Sequence, residues 1–120
     1  DYIIKKAIEN KEIELFSKGN VFRDYLPVKD GISSILSALN MDFKKEYHAI
    51  NIGSGNLVTT KEIAERIVSV LGSSSRIIDL DKNSGRGNCI LNITKAKNIL
   101  GFNPQNIMSH IDKYALSKIK

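Results

Sequence analysis

The chain has 120 residues, 42% of them apolar and 26% charged, and a formal net charge of +5. This is enough for one compact domain with one core, and no apolar run approaches the length of a membrane span. Residues 1–10 mix isoleucines with lysines and a glutamate and do not read as a secretory signal, so a cytoplasmic location is the expectation. Cys89 is the single cysteine and cannot close an internal disulfide; His48 and His110 belong to no paired ligand motif, so no structural metal site is expected.

In chain order, Ile4, Ala7 and Ile8 share one face of an opening helix that ends near Asn10. A sequence that opens inside an amphipathic helix reads as part of a longer polypeptide. Glu12 to Phe16 then reads as a short strand with Ile13 and Leu15 on one side. Ser17 to Asn20 is a turn in which Gly19 or Asn20 takes positive φ. Val21 to Val28 is a second extended stretch, with Arg23 and Tyr25 on a common face; Pro27 puts it at a sheet edge or takes it out of the sheet. Asp30 can cap the next helix, in which Ile32, Ile35, Leu36 and Leu39 have the spacing of a buried stripe.

Tyr47 to Ile52 reads as a buried strand running into the tight turn Gly53-Ser54-Gly55-Asn56. Thr59 followed by Glu62 has capping-box spacing. It opens a helix with Ile63, Ile67 and Leu71 on one face and Gly72 just past its end. Arg76 to Leu80 is a short strand, and Asp81 to Asn88 a polar loop. Thr94 can cap a brief helix that buries Ala96, Ile99 and Leu100 and stops at Gly101. After a turn at Asn103-Pro104, a last helix begins near Ile107 with Ile111, Ala115 and Ile119 on one face. Alternating strands and helices without repeats predict an α/β (α+β) fold, a small sheet with flanking helices.

Several chemistries find little support. Gly53-Ser54-Gly55 lies between strand and helix, but the third glycine position of a dinucleotide fingerprint is Val58, so a plain tight turn is the preferred reading. The basic excess admits an anionic partner. The lysines are scattered, however, and no RNA-binding aromatic signature occurs, so nucleic acid is not the expected ligand. A small basic module for anions or nucleic acid stays as the alternative. The arginines are Arg23, Arg66, Arg76 and Arg86 in a lysine-rich chain. A guanidinium can grip phosphate in a two-pronged fork where an ammonium offers a point charge. Arg23 lies mid-strand and Arg86 between two glycines, whereas Arg66 reads as a solvated surface charge and Arg76 has no special context.

Taken in order, several segments resemble the extended short-chain dehydrogenase/reductase family, the NAD-dependent nucleotide-sugar epimerases and dehydratases. They are Phe22-Arg23-Asp24-Tyr25-Leu26-Pro27-Val28-Lys29-Asp30, Asn51-Ile52-Gly53-Ser54-Gly55, Ser84-Gly85-Arg86-Gly87-Asn88, Asn92-Ile93-Thr94-Lys95-Ala96 and Leu100-Gly101-Phe102-Asn103-Pro104. The resemblance implies that residues 1–120 are a single C-terminal substrate-binding domain, with the N-terminal Rossmann half, which holds NAD or NADP, outside this chain. It implies a nucleotide-diphosphate sugar as ligand, contacted by Arg23 and Arg86, with Asn51 and Gly53 structural. No catalytic, cofactor or metal residue is carried over to this chain, which is expected to be inactive alone and, with an apolar face uncovered, to self-associate. Tyr2/Lys6, Tyr25/Lys29 and Tyr114/Lys118 have the Tyr-x-x-x-Lys spacing of the family's catalytic pair, but they fall at the wrong places in the family's order and read as coincidences.

Overall fold

In the computed structural model, the described residues are 1–44, 47–82 and 87–119. They form α1 (Tyr2–Ile8), β1 (Ile13–Leu15), a 3-10 turn (Phe16–Gly19), β2 (Phe22–Arg23), α2 (Val28–Leu39), β3 (Val58–Thr59), α3 (Thr60–Val70), β4 (Ile77–Asp79), α4 (Thr94–Leu100) and α5 (Ile107–Ser117). The fold is mixed α/β, as the alternation of elements predicts.

The strands make two small sheets. β1 pairs in parallel with β4, Ile13 opposite Ile77 and Leu15 opposite Asp79. β2 pairs antiparallel with β3, Phe22 opposite Thr59 and Arg23 opposite Val58. On the other edge of β2, Arg23 forms an isolated parallel bridge with Cys89. Short strands of this kind owe their stability to the helices packed on them rather than to their few ladder bonds.

The main core gathers Ile4 and Ala7 of α1, Ile13 and Leu15 of β1, Val58 of β3, Ile63, Ala64 and Ile67 of α3, and Ile107 and Ala115 of α5. The alternation expected at Ile13 and Leu15 holds, with exposed Glu14 between two buried residues. A smaller cluster of Ile93, Ala96 and Phe102 packs against Leu26, Ile50, Ile52, Leu91 and Leu100. At the turn after β1, Gly19 has φ +68°, and a Cβ there would meet Leu15 Cδ1 and Lys61 Cβ at 2.8 Å each, so only glycine fits. Ser17 and Lys18 also have positive φ, which sequence did not anticipate, while Asn20 does not. Their amides donate to the Lys82 and Leu80 carbonyls at 2.8 and 3.1 Å, which holds the turn against the end of β4.

α3 is built as its sequence predicts. The Thr59 hydroxyl accepts from the Glu62 amide at 3.1 Å, and the Glu62 carboxylate accepts from the Thr59 amide at 2.7 Å. The second bond, with the Thr59 hydroxyl, holds the Glu62 carboxyl below its ordinary range. Gly72 follows the helix at φ +58°.

Other expectations are corrected. Val21 to Val28 is strand only at Phe22–Arg23; Pro27 takes the chain out of the sheet and is the residue before α2. Asp30 therefore lies inside the first turn of α2 and is not its cap. It is buried, and its carboxylate accepts from the Gln105 backbone and side-chain nitrogens at 2.8 and 3.1 Å. This anchor sets the rotation of α2. Asp30 and Ser34 face inward, and Ile32, Ile35, Leu36 and Leu39, the expected core stripe, are 52%, 61%, 54% and 76% exposed.

Residues 47–52 form no strand. No described strand runs beside them, and they are held by bonds from Lys95 Nζ to the Ala49 carbonyl (2.6 Å) and from Asn51 Nδ2 to the Asn92 carbonyl (3.3 Å). Tyr47 is 81% exposed, while Ile50 and Ile52 still reach the smaller cluster. Thr94 is likewise the first residue of α4 rather than its cap; the acceptor is Asn92 Oδ1, 3.0 Å from the Thr94 amide. Ile119 lies past the end of α5 and is exposed.

The α3 capping box generates a direct check. Thr59→Ala removes the acceptor for the Glu62 amide and should cost about 0.5–2 kcal/mol, read as a lower midpoint in chemical denaturation with an unchanged slope.

Candidate functional site

The site begins with two consecutive residues whose side chains do opposite things. Asp24 turns its carboxylate onto backbone amides: Oδ1 accepts from Ser54 N at 2.5 Å and Oδ2 from Leu91 N at 3.1 Å. Burial opposes the charge, but bonds from the Ser54 side chain and from the Ser54, Leu91 and Gly55 amides outweigh it and hold the carboxyl below the ordinary carboxylate value. Gly53 is what lets the carboxylate in, since a Cβ there would meet Asp24 Oδ2 at 2.5 Å. The turn after residue 52 is thus filled by this chain's own aspartate. Its amides are committed to that carboxylate and do not fit a dinucleotide pyrophosphate, which needs such amides free.

Arg23 is held from the other direction. Its Nη1 donates to the Gly87 carbonyl at 2.5 Å and the Phe22 carbonyl at 3.1 Å. Neither Asp24 nor Asp30 pairs with it, because both carboxylates are spent on amides elsewhere. The other two described arginines are neutralised. Arg66 forks onto Asp112, Nε to Oδ1 at 2.7 Å and Nη2 to Oδ2 at 2.5 Å, bridging α3 and α5, so it is more than a solvated surface charge. Arg76 pairs with Glu12 at 2.7 Å. Among the described residues, Arg23 is therefore the arginine without a carboxylate partner, and Nε and Nη2 keep their donors.

Arg23 borders a cavity of about 410 Å³ between α1, β1 and β2, whose walls are Tyr2, Ile3, Leu15, Phe16, Val21 and Thr60 together with the carboxylate of Glu14, which makes no ion pair with Arg23. Phe16 is 54% exposed there. A flat apolar wall beside an uncompensated guanidinium suits a ligand with an aromatic part and an anionic part. Arg86 lies outside the described residues. Its neighbour Gly87 is the residue bonded to Arg23, and the chain from there runs along β2: Asn88 Oδ1 accepts from Phe22 N (3.0 Å) and Cys89 N donates to Phe22 O (3.2 Å). Among the described residues no group of three or more His, Cys, Asp or Glu could hold a metal ion, and no helix is long and apolar enough to cross a membrane.

Sequence singled out Arg23 but not the work of Asp24. The signal was the pairing of an Arg-Asp step with a distant glycine turn, where the missing side chain of Gly53 makes room for a carboxylate. Because the folded-state pKa of Asp24 is depressed, its contribution to stability is fully present above the unfolded carboxylate pKa of about 3.9 and is lost as pH falls through the lower folded value. Asp24→Asn should cost about 1–3 kcal/mol at pH 7, because one buried amide then faces an NH2 group. Its melting temperature should also fall less steeply than the wild type's between about pH 4 and pH 2, with Glu9, Glu62 and Asp112, whose carboxyls are also lowered, contributing to the remaining slope.

Comparison with known proteins converges on one family. Residues 1–53 match the model of the NAD dependent epimerase/dehydratase family. A dTDP-4-dehydro-6-deoxy-D-allose reductase from Streptomyces bikiniensis is 25% identical over 94% of this chain, which covers 34% of that protein. The chain thus spans about a third of the length of the curated relatives it matches. Among solved structures, the UDP-glucose 4-epimerase of Thermotoga maritima, determined with UDP-glucose, superposes with a TM-score of 0.81 at 23% identity, over 98% of this chain and 39% of that one. The dTDP-glucose 4,6-dehydratase of Bacillus anthracis, determined with NAD, superposes with a TM-score of 0.72 at 25% identity, over 95% of this chain and 36% of that one. The matched segment, the relatives along nearly the whole chain and the shared fold agree: this chain is similar to the NAD dependent epimerase/dehydratase family, whose model its first 53 residues match.

Proposed function

We propose that this chain is a C-terminal substrate-binding lobe, one domain over residues 1–120, that grips the nucleotide diphosphate of a nucleotide sugar while a separate Rossmann half supplies NAD or NADP. The observation that carries this reading is Arg23, a guanidinium with no carboxylate partner among the described residues at the rim of a cavity walled by Leu15 and Phe16. A diphosphate diester carries about two negative charges, and a forked guanidinium fixes both its position and its orientation. Arg86 belongs to the same proposal, as a second guanidinium delivered by the loop whose next residue bonds Arg23. The relatives named above act on dTDP- and UDP-sugars, which fits a flat base against the apolar wall. They include a reductase, an epimerase and a dehydratase, and a lobe of this kind serves all three reactions because the redox chemistry lies in the other half.

The outer face of α2 supports the need for that half. Its bulky residues are exposed, and beside them lies a cavity of about 450 Å³, bounded by Ile35, Phe43, Tyr47, Ile50 and Leu100, on which the buried His48 Nε2 has no partner among the described residues. The accessible surface is 8087 Å², against about 6,500 Å² for a compact monomer of this mass. The radius of gyration is 17.0 Å, against about 14 Å. A contiguous apolar face of this kind is covered in a working protein.

Four outcomes are expected. Titration of the 15N-labelled chain with UDP should shift the amides of Phe16, Arg23, Gly87 and Cys89, with a dissociation constant of about a millimolar. Arg23→Ala should weaken that binding about tenfold, and Arg23→Lys should not restore it, since an ammonium lacks the fork. The chain mixed with NAD and UDP-glucose should give no turnover; detectable epimer or keto product would overturn the lobe assignment. In sedimentation the chain alone should self-associate at high concentration, and Leu36→Glu should return it to monomer.

A further inference from the structure

We infer that residues 47–52 are a strand without its sheet, and that the sheet they join is the one in the NAD-holding half, with α2 as the helix covering the joint. This rests on the reading of the chain as a lobe completed by a separate half. Exposure alternates residue by residue along the segment: Tyr47, Ala49 and Asn51 are exposed, and His48, Ile50 and Ile52 are half-buried. A period of two is that of a strand. Yet among the described residues no backbone amide of 47–52 has an acceptor, and the carbonyl that is bonded, that of Ala49, takes Lys95 Nζ at 2.6 Å. In a ladder the N–H and C=O of one residue face the same neighbour. Lys95 therefore occupies the Ala49 edge, and the edge of His48, Ile50 and Ile52 is open. A row of unpaired backbone groups is a template for an added strand.

The groove beside the segment says what kind of sheet fits. Ile35 and Ala38 of α2 form one wall, and His48, Ile50 and Ile52 line the other, so a helix lies over one face of the segment. The exposed Ile32, Leu36 and Leu39 continue the apolar surface outward. A strand with a helix on its face is the repeating unit of an open, doubly wound sheet, the form a dinucleotide-binding half takes. This chain spans 34% of the length of the Streptomyces bikiniensis relative, and the strands of its own two sheets lie elsewhere in the chain. His48 Nε2, buried in the groove with no partner among the described residues, is the kind of polar atom that a covering surface satisfies. A second copy of this chain would bring an equal open edge with no sheet behind it, and a two-stranded ladder alone is marginal.

The test is a hybrid in which this chain replaces the matched 36% of the Bacillus anthracis dTDP-glucose 4,6-dehydratase, compared by amide hydrogen exchange with the chain alone at low concentration. In the chain alone, the His48, Ile50 and Ile52 amides should exchange at open-chain rates while Ile63 and Ile67 stay protected. In the hybrid with NAD bound, the three should slow about a hundredfold. Ile50→Pro removes one of these amides, whereas Ile50→Ala trims the side chain and keeps it. In the hybrid, only the proline variant should return His48 and Ile52 to open-chain rates. Equal exchange of the three amides in the chain and in the NAD-bound hybrid overturns the inference, and so does a hybrid that does not take up NAD. Protection in the chain alone that rises with concentration assigns the edge to a second copy and overturns it as well. UDP titration of the chain reads the Arg23 site by itself, so a failure of the lobe reading is seen separately from the exchange result.

Discussion

The Asp24 carboxylate is the contact on which the rest of this structure turns. It accepts amides from two segments far apart in the chain, at Ser54 and Leu91. The main core lies on the α1, α3 and α5 side of the molecule, and the smaller cluster around Ile93 and Phe102 on the other. Asp24 sits where these meet, at the end of a two-residue strand that alone could hold very little. A charged acceptor bonded to several amides is stronger than the neutral ladder bonds around it, so the junction depends on electrostatics more than on apolar burial.

The same economy explains the isolation of Arg23. A mid-strand arginine next to an aspartate reads as a local ion pair. Here the aspartate is drawn away by backbone amides, and the neighbouring guanidinium keeps its charge uncompensated on a cavity wall. Arg66 and Arg76, by contrast, are pinned to Asp112 and Glu12 and act as struts between elements. What sets Arg23 apart from Arg66 and Arg76 is therefore the fate of the surrounding carboxylates rather than its own place in the sequence.

α2 shows a buried polar group overriding hydrophobic pattern. Its apolar stripe has the spacing of a core-facing helix, yet Asp30 is buried and satisfied by Gln105, and Ser34 bonds back to Gly31. Turning the helix over to bury Leu36 and Ile35 would break the bonds from the Gln105 backbone and side chain to the Asp30 carboxylate and leave those donors to find other partners. The residues 47–52 beside it show the companion effect: an apolar, strand-like pattern that stays unpaired because pairing is a property of two segments.

The local and self-contained features were legible from the order of residues alone. Those are the opening helix, the Ile13/Leu15 alternation, the capping box at Thr59, the glycine stops at Gly72 and Gly101, the mixed α/β class and the choice of Arg23 as a residue of interest. Each depends on residues within a turn or two of one another, where backbone preference and side-chain spacing decide the outcome. Long-range packing settled the rest: which face of α2 points inward, that β1 pairs in parallel with β4, that residues 47–52 form no ladder with any described strand, and that Asp24 fills the glycine turn. Each of these rests on a partner more than twenty residues away in the chain, and a linear pattern shows that a polar group or strand edge needs a partner without showing which one it finds.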